Sequence, residues 1–243
     1  MWKTLPPEAA GLVEGNLLAT RTLALAFFAS LVLVTLAIAV PLFRRAKPEG
    51  RMDRPLVAGL VYFSCIGVGF MLAEIALLQR LSLVLGHPSY SLMVVLSSLI
   101  GAMGLGSLLS DRLPLDRKPW AFVFPLVLAA VVAGLALGWP QLAAGVASAP
   151  TSTRIGFAVG VCAVLGLVLG VAFPVGMRLA RRVHDAETPW LWGINGVGSV
   201  LASSLAMLIA LSYGLTNLML VGAAFYVLLV PAAWVMLTAA KRS

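Results

Sequence analysis

One carboxylate in this sequence stands where water is scarce. In the stretch GFMLAEIALLQRL, Gly69 to Leu81, Glu74 lies inside a long apolar run, and of nine acidic residues it alone does so. A charged side chain at the centre of a bilayer costs about 2.5–3.5 kcal/mol on insertion scales, so an acid kept there has a partner or a task. One task is a substrate or proton pathway, in which the carboxylate meets a small cation or carries a proton. The structural alternative is a Glu74 that is protonated or hydrogen-bonded and holds two helices together. Both readings are open at this point. Gln79 and Arg80 follow within two helical turns, and His87 and Tyr90 open the next apolar run, so Glu74, Gln79, Arg80, His87 and Tyr90 form the candidate pathway near one membrane surface. Arg80 is expected at the interface, its head group snorkelling to water. Gly67, Met71 and Leu78 share the Glu74 face of a helix, and the glycine predicts that this face packs on protein.

A second group lies toward the opposite surface. GAMGLGSLLSDRL (Gly101–Leu113) and GINGVGSVLASSL (Gly193–Leu205) both read GxxGxGSxL. Such glycines let helix backbones approach closely. They predict a packed polar cluster of Gly104, Gly106, Ser107, Asp111, Arg178, Asn195 and Gly196, with the Asn195 amide bonding a neighbouring helix. The two motifs sit at the same depth, which argues against an inverted repeat. Neither follows a strand or reads GxGxxG, so a dinucleotide site is excluded. Pro174 is placed to kink or stop its helix, and Arg178, Arg181 and Arg182 after it are expected to touch lipid headgroups. Cys65 and Cys162 show no metal-ligand spacing, and His87 and His184 are far apart, so neither metal nor cofactor is expected. One Glu and scattered serines do not make a nucleophile with its base, so catalysis by this chain alone is not expected. The last span has no interior lysine for a retinal Schiff base.

The elements that position these residues follow from composition. The 243 residues are 61% hydrophobic and 11% charged, with a mean hydropathy of +1.02, against about 25% charged in a soluble domain. This predicts an all-α, polytopic transmembrane helix bundle with the lipid bilayer as solvent. Seven spans are expected at about 22–43, 57–79, 90–110, 120–139, 155–177, 190–213 and 215–239, forming one transmembrane domain over 22–243 behind an external segment, 1–21. The last two spans meet at Gly214 in a tight hairpin. Of 17 Lys and Arg, 13 fall on the side of the odd loops and the C-terminus and 4 on the other. The positive-inside rule then puts the N-terminus outside and the C-terminus in the cytoplasm. Trp120, Trp139, Trp190 and Trp192 fall at span ends, as an interfacial belt requires. No cleaved signal peptide is read at the N-terminus. The net charge of +8 sits in short runs between spans and makes no nucleic-acid face.

Three stretches together resemble one family. FSCIGVGFMLAEIALLQRLSLVLGHPSYSLMVVLSSLIGAMGLGSLLSDRL (Phe63–Leu113), GVAFPVGMRLA (Gly170–Ala180) and WLWGINGVGSVLASSLAMLIALSYGL (Trp190–Leu215) are similar to the membrane domain of bacterial spermidine synthase-like multi-pass membrane proteins. The resemblance implies an inner-membrane location and a soluble aminopropyltransferase-like domain or subunit as partner. No βαβ run for that domain is found here, so the chain is expected to be the membrane half, anchoring or serving the partner and handling a small cationic molecule. The alternative is a stand-alone secondary transporter of a small solute that uses Glu74.

Overall fold

The computed structural model describes residues 20–33, 54–182 and 188–239, with Gly15, Leu17, Leu18 and Leu36 besides. Among the described residues the regular structure is helical throughout: α1 (Thr20–Leu33), α2 (Arg54–Leu85), α3 (Pro88–Ser110), α4 (Trp120–Ala144), α5 (Thr151–Arg181), α6 (Thr188–Val227) and α7 (Leu229–Ala239). Five stretches are long and apolar enough to cross a membrane, the last being the 51 residues Pro189–Ala239. The segment 1–21 and the expected first span lie largely or partly outside the described residues.

The 51-residue stretch is folded in two. Gly214 has φ 83° and ψ 168°, a backbone state essentially confined to glycine. In a straight helix Asn195 and Gly222 would stand about 40 Å apart. Instead Asn195 packs on Gly67 while Gly222 packs on Gly69, neighbouring positions of α2. α6 therefore returns on itself at Gly214, so the described residues hold six segments long and apolar enough to cross a membrane. Its returning half continues into α7 after a break at Leu228. Pro231, which has no N–H to give the Val227 carbonyl, explains that break.

Several helices outrun the expected spans. α2 extends to Leu85 and α5 from Thr151 to Arg181. Hydropathy ends a span at the first charge, but Arg80 and Arg178 find partners within the protein, so the helices continue. Pro174 does not stop α5.

α2 is the central helix and packs on α3, α5, α6 and α7; α3 packs mainly on α5. Tyr62, Phe63, Leu72, Leu77 and Leu81 of α2 are fully buried. Small residues set the closest approaches. At Gly106 a Cβ would strike the Leu167 carbonyl, and at Gly170 the Met103 carbonyl. Across the α2–α6 seam Gly198 sits on the Ser64 carbonyl, 3.0 Å from where its Cβ would be. Only the third glycine of each GxxGxGS motif is used in this way. Gly101, Gly104, Gly193 and Gly196 face open space, which corrects the expectation that each whole motif is a packing surface.

Candidate functional site

Glu74 is partly buried, and no hydrogen bond or ion pair to it is present among the described residues. The other described acids behave differently. Asp111 pairs with Arg178 at 3.0 Å, and Asp116 pairs with Arg182 and lies 3.7 Å from Arg178. Glu74 stands four residues after Phe70 and four before Leu78, on one helical stripe of α2. Phe70, with Ile66 and Gly67, lines a cavity of about 510 Å³ between α2, α3, α5 and α6. Leu78, with Gln79 and Ser82, lines a second of about 550 Å³ at the opposite end, against Pro88, Ser89 and Leu215. The lone carboxylate thus lies one turn from the wall of each.

The first cavity gathers much of the second group of candidates. Gly104, Ser107, Asn195 and Pro174 line it, together with Ser199 and Tyr226. Asn195 donates through Nδ2 to the Phe63 carbonyl at 3.0 Å, and the Ser199 hydroxyl reaches the Asn195 carbonyl at 3.1 Å. Gly106 is instead in the α3–α5 seam, and Gly196 faces outward. Asp111 and Arg178 lie beyond the cavity. Arg178 donates to the Ser110 carbonyl at 3.0 Å, and Arg182 to the Asp116 carbonyl at 3.3 Å. These arginines clamp the α3–α4 connection to the end of α5. The expectation that Arg178 and Arg182 serve mainly as headgroup contacts is therefore corrected: their guanidinium groups are engaged by protein acids.

Arg80 departs furthest from expectation. It is 3% exposed, not at the interface. Its Nη1 donates to the Leu135 carbonyl at 3.1 Å, both Nη atoms to the Ala136 carbonyl at 3.3 Å, and Nη2 to Thr216 Oγ1 at 2.7 Å. Met219 Sδ lies 3.4 Å from Nη1, and the Trp139 ring 5.2 Å from the guanidinium carbon. The cause is Pro140, which has no N–H for the carbonyl four residues back, that of Ala136. Arg80 supplies the missing donors from another helix. Trp139 is correspondingly inside α4, packed on Arg80 and Phe157, and not at a span end.

The expected outer cluster is thus divided. Gln79 lines the second cavity and donates to Met207 Sδ at 3.5 Å. Arg80 is sealed inside the bundle, and His87 and Tyr90 are exposed beside the cavity mouth rather than in its wall. Sequence reasoning missed Tyr226, which is fully buried with its hydroxyl unpartnered. The available signal was a phenol in the middle of an apolar span. It also missed Thr216, legible only as a hydroxyl just past the Gly214 turn. Among the described residues no group of three His, Cys, Asp or Glu is placed to hold a metal ion.

Comparison with known protein families, with curated proteins and with solved structures finds no match to this chain.

Proposed function

We propose that this chain is the membrane module of a spermidine synthase-like system in a bacterial inner membrane, presenting Glu74 to a small cationic solute. In this reading it crosses the bilayer seven times, with the N-terminus outside and the C-terminus in the cytoplasm. The observation that carries the reading is the isolation of Glu74. The acids at the end of the bundle are matched by arginines, and Arg80 is held by carbonyls, while Glu74 has no cation among the described residues. An unmatched carboxylate beside two cavities suits a cation that comes and goes. The same observation favours a second reading, a secondary transporter that needs no soluble partner.

Labelled putrescine and spermidine, offered to vesicles containing the purified chain and its Glu74→Gln variant, test both. Binding without uptake, lost in the variant, supports the module. Uptake lost in the variant supports the transporter. Equal behaviour of the two folded proteins removes Glu74 from any solute pathway and leaves it as a structural group. The topology is checked separately by labelling single cysteines placed at Arg117 and Tyr213, both exposed. A reagent that cannot cross the membrane should reach Tyr213→Cys from outside and Arg117→Cys only after the vesicles are opened.

A further inference from the structure

We infer that the cavity between α2, α3, α5 and α6 is a binding site for a bilayer-borne amphiphile whose head group donates a hydrogen bond, an alcohol or an amine on an alkyl body. The inference does not depend on the role of Glu74, which does not line this cavity.

The volume of about 510 Å³ is in the range of small-molecule sites. Most of the wall is apolar, with Ile66, Phe70, Met103, Leu169 and Phe173 in it, which suits an alkyl body. Among the described residues no charged side chain lines it. The polar groups present are mainly acceptors. Asn195 gives one of its two amide protons to the Phe63 carbonyl, leaving Oδ1 and the second N–H. Ser199 has one proton, directed at the Asn195 or Gly67 carbonyl, and its lone pairs remain. The Gly170 carbonyl receives no helical N–H from Pro174, and both residues line the site. Tyr226 also lines the site, its ring closing over Gly69. An anionic head would meet this row of oxygens without a cation to hold it. A hydroxyl or ammonium would satisfy them. α3 and α6 are not packed on each other, and Ile100, 63% exposed, lines the cavity between them. The route in is therefore lateral, from the bilayer.

The test uses the full chain in phosphatidylcholine nanodiscs with a diazirine-bearing octanol, labelled peptides being mapped by mass spectrometry. Label is expected on peptides carrying Phe70, Ser199 and Tyr226, with octanol and octylamine competing and octanoate not. Ser199→Ala, which removes one acceptor oxygen from the wall, should weaken competition by about fivefold, as loss of one hydrogen bond does. Gly104→Leu should abolish the site by filling it; its Cβ would meet nothing within 4 Å, so the fold should tolerate the change. Label spread evenly over lipid-facing helices, equal competition by octanoate, or unchanged labelling in both variants would overturn the inference.

Discussion

At the scale of single residues, Glu74 and Arg80 are opposite solutions to burying a charge. Arg80 is matched by several acceptors from two other segments, and Glu74 by no donor among the described residues. The Arg80 arrangement makes a specific prediction. Arg80→Ala should lower stability by about 1–3 kcal/mol, because the Ala136 carbonyl is left without a donor. Pro140→Ala restores an N–H to that carbonyl, so Arg80→Ala should cost about 1 kcal/mol less in the Pro140→Ala background. Thermal unfolding in detergent of the four members of this cycle measures the coupling, and additive losses would show that Arg80 is not compensating for the proline. Glu74→Gln is expected to unfold within about 0.5 kcal/mol of the parent, since no partner among the described residues is lost. The position of Glu74 was legible because hydropathy alone separates it from its surroundings. The burial of Arg80 was not, because its acceptors exist only through a proline in another helix, and no local window contains both.

At the scale of the helices, close packing discriminates among glycines that look alike in sequence. Gly170→Ala should destabilise by about 1–3 kcal/mol through collision of its Cβ with the Met103 backbone. Gly101→Ala, on an open face, should be neutral or stabilising by up to about 1 kcal/mol from helix propensity. Unfolding of both variants in one detergent decides it; similar effects would mean the α3–α5 seam can yield. Gly214→Ala should cost about 1 kcal/mol or more, because its φ is one that a side chain disfavours. The hairpin was legible from Gly214 and the lengths of the flanking apolar runs. The difference between the third glycine of each motif and the first two was not, since it depends on which face of α3 or α6 meets a neighbour. The cavity was illegible for the same reason: its lining comes from four helices, and Tyr226 belongs to no motif.

At the scale of the whole molecule, the described helices close around α2 on one side and leave α3 and α6 apart on the other. The end of the bundle near Asp116 is tied by ion pairs in which Asp116 is buried and Arg178 and Arg182 are partly exposed. Asp116→Asn removes the charge that faces both arginines, so it should lower stability by about 1–3 kcal/mol. It should also free the α3–α4 connection, read as faster hydrogen exchange there. Composition alone was enough to specify a helical membrane bundle, because every backbone group in hydrocarbon must be paired within its own segment. It could not specify which helices leave a gap.

The turn at Gly214 also bears on how the chain is built. One residue between two crossing segments leaves no loop to be carried through the membrane independently, so the two should enter together as a preformed pair. Thr216 and Met219, which hold Arg80, belong to that pair. During synthesis α2 therefore emerges with an arginine whose full set of partners is still unmade. Nascent chains truncated before Gly214 should hold α2 shallower in the membrane than complete ones. Cysteine accessibility around Leu83 would record the moment at which the helix settles.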